Sequence, residues 1–117
     1  ILTPLVKETY HLINIREFDL MKKSAILINV SRGQTVNEEA LIKALKDGKI
    51  AGAGLDVFEK EPLDKNNPLL EMNNVVTLPH IGSGTHATRN AMSMIAAENM
   101  IMELAGKVPK NLVEELK

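Results

Sequence analysis

Three kinds of side chain that can act together on a small oxo acid follow three apolar runs of this 117-residue chain. Arg32 follows Ala25-Ile26-Leu27-Ile28-Asn29-Val30, Asp56 and Glu61 close and follow the run from Ile50 to Phe58, and His80 follows Val75-Val76-Thr77-Leu78 and Pro79. A guanidinium grips a carboxylate at two points with its planar fork. An imidazolium gives its proton to a carbonyl oxygen as a hydride arrives, and a carboxylate on the other ring nitrogen fixes the tautomer and favours the protonated ring. Such a set suits reduction of a 2-oxo acid. Each residue also has a purely structural use: Arg32 beside Gly33 as a solvated turn residue, His80 as a satisfied structural histidine, Glu61 near Glu59 and Lys60 as a surface carboxylate, Asp56 as the cap of a strand. Residue types and spacing alone leave both readings open.

What would bring these residues together is the order of the elements that carry them. The run Ala25 to Val30, nearly continuous in apolar residues and stopped by Ser31-Arg32-Gly33, reads as a strand buried on both faces. Asn37 is placed to cap a helix with Glu38 and Glu39 in its first turn, Ala40, Leu41, Ala44 and Leu45 on one face, and Gly48 as its stop. Ile50 to Phe58 reads as a second buried strand whose small residues permit close approach. Strand, helix, strand with short connections argues for a parallel βαβ unit. Glu59 to Asn74, with Pro62 and Pro68, is an irregular excursion, and Val75 to Leu78 a third strand stopped by Pro79. One or two short helices are expected between Glu8 and Met21, and a long one from Thr85 to Ala105, ended by Gly106 and Pro109, with a tail from Lys110 to Lys117. The fold class is therefore α/β: a partial Rossmann-like parallel sheet flanked by helices, with a long C-terminal helix. In an open parallel sheet ligands sit outside the carboxyl ends of the strands, where Arg32, Asp56 with Glu61, and His80 fall.

Composition narrows the partners. Fourteen Lys+Arg against fifteen Asp+Glu give a formal net charge of -1 without a basic stripe, so nucleic acid is not the expected partner. The absence of Cys removes disulfides and Cys-ligated zinc, and no metal site is expected. The most apolar long stretch, Ala91 to Leu104, is interrupted by Ser93, Glu98, Asn99 and Glu103 and is too short to cross a bilayer. Ile1-Leu2-Thr3-Pro4 reads as neither a signal peptide nor a natural start. At 117 residues, 44% of them hydrophobic, one modest core is expected, and a cytoplasmic location.

Taken together, Leu2-Thr3-Pro4-Leu5 through Thr9, Met21-Lys22, Ile28-Asn29-Val30-Ser31-Arg32-Gly33, Gly54-Leu55-Asp56-Val57-Phe58 with Glu61-Pro62, and Pro79-His80-Ile81-Gly82-Ser83 closely resemble the D-isomer-specific 2-hydroxyacid dehydrogenase family. The match covers nearly the whole chain. Within the family, the stretch from Val76 to Ser83 followed by Thr85-His86, Thr88-Arg89-Asn90 and Ala96-Ala97 is most similar to glyoxylate/hydroxypyruvate reductases; Gly84 stands where an Ala is common.

The resemblance implies a catalytic set of Arg32 as substrate-carboxylate ligand, His80 as acid/base and Glu61 as its carboxylate partner. It implies an NAD(P)H cofactor whose nicotinamide half is lined by Val30, Ser31, Arg32 and Asp56, with His80, Ile81, Gly82 and Ser83 closing over it and Pro4 near the adenosine side. It also implies a small 2-oxo or 2-hydroxy acid substrate and, for the full-length protein, a homodimer, with neither nucleic acid nor membrane as a partner. His11 and His86 are left as surface or structural residues. No GxGxxG turn for the pyrophosphate occurs here. The chain accordingly reads as the end of a longer one: residues 1–84 as the C-terminal half of an NAD(P)-binding domain, and 85–117 as a long helix and tail returning towards a substrate domain, with little or no catalysis by this piece alone. Two rivals remain at this stage, a non-catalytic dinucleotide-binding module of the corepressor kind and an inactive truncated product. NAD versus NADP preference is set outside these residues.

Overall fold

The computed structural model describes residues 1–113 and divides into a compact unit spanning Ile1–Gly82 and a second beginning at Ser83. In the first unit, β1 (Ile26–Asn29), β2 (Gly52–Leu55) and β3 (Val75–Thr77) form a wholly parallel sheet in the order β1-β2-β3. The helix α1 (Ile15–Leu20) precedes β1, and α2 (Glu38–Lys46) connects β1 to β2. The expected βαβ unit is present.

The local signals act as read. The side chain of Asn37 accepts from the Ala40 N–H, so one of the otherwise unpaired first-turn amides of α2 is satisfied. Gly48, at φ 64°, turns the chain after the helix in a conformation that costs a side-chain-bearing residue about 1 kcal/mol or more. Asn14 and Glu17 form a reciprocal capping box at the start of α1. The 3-10 turn Lys7–Thr9 and α1 are the short helices expected between Glu8 and Met21.

Leu41 and Leu45 of α2, Phe18 of α1, and Leu27, Ala53 and Leu55 of the strands meet in one core with Ile50 and Leu69. Burying a side chain such as Leu41 contributes about 1.5–3 kcal/mol. The opposite face of the sheet differs from the expectation. Ile26 is 65% exposed, Ile28 50% and Val76 64%, whereas Leu27 and Asn29 point inward, so β1 is buried on one face and not two. The continuous apolar run was a fair signal of a sheet covered on both sides. Among the described residues, α1 and α2 share the core on one side only. β2 is also shorter than the run from Ile50 to Phe58, because Asp56, Val57 and Phe58 leave the ladder and, though buried, belong to the following loop.

The register sets Asn29 of β1 opposite Leu55 of β2, and Leu55 opposite Thr77 of β3. Asp56 N–H still donates to Asn29 O at 3.0 Å and Leu78 N–H to Leu55 O at 2.8 Å. The segments carrying Arg32, Glu61 and His80 therefore leave the sheet from the same edge. Two of them touch closely: a Cβ on Gly33 would lie 1.9 Å from the carbonyl carbon of Phe58, so only glycine fits.

The second unit holds α3 (His86–Leu104), whose first turn is capped by Thr85 Oγ1 accepting from Thr88 N–H at 3.1 Å. The chain leaves it at Gly106 and folds back on it, with Asn99 Nδ2 donating to Asn111 Oδ1 at 3.2 Å. The expected tail from Lys110 to Lys117 lies partly outside the described residues. No described helix is long and apolar enough to cross a membrane.

Replacing Gly33 by Ala is expected to cost about 3 kcal/mol, the upper end for forcing one extra carbon into a packed site. Urea unfolding of the full-length protein, read as a fall in midpoint at unchanged slope, measures it; an unmoved midpoint contradicts the close approach.

Candidate active site at the strand ends

Arg32 is placed by what lies under it. Asn29, 1% exposed, ends β1 on the buried face, and its amide must be satisfied there. Its Nδ2 donates to Arg32 O at 3.0 Å and to Thr35 Oγ1 at 3.3 Å, while its Oδ1 accepts from the Ser31 N–H at 3.1 Å and the Ser31 hydroxyl at 3.0 Å. Thr35, itself buried, donates its hydroxyl to Arg32 O at 2.7 Å. The backbone of the turn is thus fastened from below. Among the described residues the exposed Arg32 side chain holds only the Ser31 carbonyl, at 2.8 Å, and leaves guanidinium N–H groups for a ligand.

His80 sits on a conformation that residues with a side chain seldom adopt, with φ at 55°. Such a backbone costs about 1–3 kcal/mol and persists where its surroundings enforce it. Asp56 does the enforcing. Its carboxylate, 3% exposed, accepts from Ile81 N–H at 2.8 Å with one oxygen and from Gly82 N–H at 2.7 Å with the other. Two charge-assisted bonds to successive amides hold the turn that carries the imidazole.

Glu61 meets that imidazole. Its Oε2 lies 2.8 Å from His80 Nδ1, and its Oε1 accepts from Phe58 N–H at 3.0 Å. An ionised carboxylate only accepts, so Nδ1 carries the hydrogen and Nε2 is the nitrogen left for a substrate. The bond from His80 holds the Glu61 carboxyl below its ordinary value; partial burial works against this, and the Phe58 amide and the charges of His80 and Arg32 reinforce it.

Arg32, Glu61 and His80 border one depression of about 470 Å³, together with Gly33, Gln34, Phe58, Glu59 and Lys60. A neighbouring hollow of about 400 Å³ is lined by Leu2, Thr3, Pro4, Leu5, Ser31 and Arg32. In it the Thr3 hydroxyl is buried without a hydrogen-bond partner among the described residues. An unpaired buried hydroxyl beside an arginine fits a ligand rich in hydroxyl and phosphate oxygens, as a dinucleotide is. Pro4, Ser31 and Arg32 line this hollow. Val30 and Asp56 line a separate groove of about 560 Å³ along the open face of the sheet. Ile81 and Gly82 are tied to Asp56 through their backbones, and Ser83 opens the second unit. No group of three or more His, Cys, Asp or Glu able to hold a metal occurs among the described residues.

Some contributors escaped the sequence reading. Asn29 carried a signal, a polar residue at an inward position of an apolar strand. Thr35 carried none, nor did Gln34, Glu38 and Glu59, whose partners lie 21 or more residues away in the chain. His11 is structural, with Nε2 2.6 Å from Glu59 Oε1.

A parallel sheet with a guanidinium and a carboxylate–imidazole pair at its carboxyl edge has the architecture of the Rossmann-like nucleotide-binding α/β class. The chain belongs to the D-isomer specific 2-hydroxyacid dehydrogenase family, matching the description "D-isomer specific 2-hydroxyacid dehydrogenase, NAD binding domain" over residues 1–82. It is 58% identical over 113 residues to a glyoxylate/hydroxypyruvate reductase B from Enterobacter sp. (strain 638), covering 97% of this chain and 35% of that protein. It is 56% identical to a glyoxylate reductase from Thermococcus litoralis, covering 96% and 34%. The structure resembles that of an NADPH-dependent glyoxylate/hydroxypyruvate reductase from Sinorhizobium meliloti in complex with NADP and malonate, with a TM-score of 0.91 at 40% identity over 97% of this chain and 35% of that one. A D-lactate dehydrogenase with NAD+ from Lactobacillus jensenii gives 0.87 at 33% identity, over 96% and 38%. The chain spans about a third of the length of these curated relatives.

The depressed Glu61 value fixes the sign of its pH dependence: the contribution of the bond to His80 is present above the ordinary carboxylate range and is lost as pH falls through the folded value. Substituting His80 by Ala is expected to move the Glu61 titration upward. Carboxyl 13C NMR of the full-length protein reads this directly, and an unchanged titration would show that the pair is not formed.

Proposed function

We propose that the complete protein reduces a small 2-oxo acid, glyoxylate or hydroxypyruvate, to its 2-hydroxy acid (the D isomer where the product is chiral) with NAD(P)H. One observation carries this reading: a guanidinium and a hydrogen-bonded carboxylate–imidazole pair border a single depression at the carboxyl edge of a parallel sheet. Reductases of this name that match over 96–97% of the chain support the substrate class.

In this proposal Arg32 holds the substrate carboxylate with its two-point fork, which orients the neighbouring carbonyl. His80, with Nδ1 committed to Glu61, gives a proton from Nε2 to the carbonyl oxygen, and takes it back in the reverse direction. Glu61 passes no proton; it aims the ring and opposes its positive charge. A bound dinucleotide supplies the hydride that the carbonyl carbon receives. Pro4 and Thr3 would face the adenosine side of that cofactor, Val30, Ser31, Arg32 and Asp56 its nicotinamide half, with the turn from His80 to Gly82 beside it.

Residues 1–84 then make up the second half of the dinucleotide-binding domain, and 85–117 a helix and tail returning towards the substrate domain. A cytoplasmic homodimer is part of the same proposal and rests on the family resemblance.

In the full-length enzyme, His80→Gln is expected to lower turnover by about 10² to 10⁴ while leaving dinucleotide affinity unchanged, as for loss of a general acid. Steady-state kinetics beside a cofactor titration measure both; near-normal turnover removes His80 from the chemistry. Arg32→Lys is expected mainly to raise KM for the oxo acid, since an ammonium cannot reproduce the fork. Wild-type KM and kcat in that variant would sink the role given to Arg32.

A further inference from the structure

Glu59 lies two residues before Glu61 and borders the same depression, yet its carboxylate bonds to the start of α2 while Glu61 meets His80. Glu59 Oε1 accepts from the Glu38 N–H at the first turn of α2, at 3.1 Å, and lies 2.6 Å from His11 Nε2. The Glu59 N–H in return donates to Glu38 Oε2 at 3.1 Å, so the two glutamates clasp each other's backbone. Asn67 Nδ2 donates to the other oxygen of Glu38 at 2.7 Å and holds that carboxylate in place. The Glu59 carbonyl accepts from Gln34 Nε2 at 2.9 Å. Gln34 belongs to the 3-10 turn Gly33–Thr35, directly after Arg32, and its own carbonyl accepts from the His11 N–H at 2.8 Å.

Glu59 reaches three other segments: its N–H and Oε1 the start of α2, its carbonyl the turn behind Arg32, and Oε1 also the loop of His11. One of these segments carries the guanidinium. Glu59 itself sits on the segment whose Phe58 N–H orients the Glu61 carboxylate. The glutamate–imidazole pair is only as well aimed as that segment is fixed, and no regular element fixes it: β2 ends at Leu55 and the next turn begins at Pro68.

We propose that Glu59 is a positioning residue that sets Glu61, and through it the His80 ring, at a fixed distance from Arg32. Oε1 of Glu59 is engaged by the Glu38 amide and lies against His11, whereas the imidazole of His80 is met by Glu61. The kinetic part of the proposal rests on the oxo-acid reduction proposed above, whereas the geometric part does not.

The test uses the full-length enzyme with Glu59→Ala, the conservative Glu59→Gln, and selective 15N labelling of histidine, the His80 signals being assigned by their loss in His80→Gln. Glu59→Ala is expected to lower kcat at least about tenfold, within the range that misplacing a catalytic group by a fraction of an ångström produces. It should also alter the pH profile and shift the His80 ring resonances, with dinucleotide affinity kept. Glu59→Gln, which retains an acceptor for the Glu38 amide, is expected to recover most of the rate. If Glu59→Ala does not fold, Gln34→Ala removes only the bond to the Glu59 carbonyl and should lower kcat in the same direction with a smaller His80 shift. Unmoved His80 resonances in the folded variants overturn the proposal, whatever the activity. Should the wild-type enzyme reduce no 2-oxo acid while the His80 signals still respond to Glu59, the functional reading fails and the positioning role stands.

Discussion

The whole arrangement depends on three parallel strands ending level with one another. Backbone bonds pair Asn29 with Leu55 and Leu55 with Thr77, and continue one residue further to Asp56 and Leu78. A parallel ladder fixes position along the strand direction, and a slip by one residue would send each inward side chain to the opposite face. With the ends aligned, residues as distant as Arg32 and His80 need only short loops to reach a common depression. The core of Leu41, Phe18, Leu27 and Leu55 helps to hold β1 and β2 in place by burying Leu27, Ala53 and Leu55 with the side chains of α1 and α2.

Beyond the strand ends, fastening passes from apolar packing to buried polar groups. Asn29 and Thr35 tie down the turn of Arg32, Asp56 ties down the turn of His80, and Glu59 with Glu38 ties down the segment of Glu61. Asn29, Thr35 and Asp56 leave water, which is costly unless their bonding capacity is met. The geometry meets it: Asn29 uses both ends of its amide, and each oxygen of Asp56 accepts one amide. Unlike apolar contacts, these bonds have direction, and direction is what aiming a guanidinium and an imidazole requires.

The same economy of contacts explains the uneven burial of the sheet. Its inner face is closed by two helices, whereas Ile26, Ile28 and Val76 on the other face remain exposed in a chain that spans about a third of its relatives' length. A hollow beside Arg32 holds an unpaired Thr3 hydroxyl, and the guanidinium keeps donors free. Satisfied groups hold the backbone, and Arg32, whose guanidinium keeps N–H groups to spare, borders the space where a ligand would sit.

By itself the sequence determined the elements and the chemical cast. Asn37 and Gly48 bound α2, Thr85 begins α3, the order strand, helix, strand demands a parallel unit, and Arg32, Glu61 and His80 fall where ligands meet such a sheet. These are local or periodic signals, written within a few residues of where they act. Tertiary structure alone decided which face of β1 is buried, that β2 stops at Leu55, and that Asp56 spends both oxygens on the turn after His80. It also decided that Glu59 bonds to the start of α2 while Glu61, two residues later, meets the imidazole. Such choices depend on bonds that span 19 to 26 residues, which no local pattern names, and on which neighbouring surface is present to exclude water.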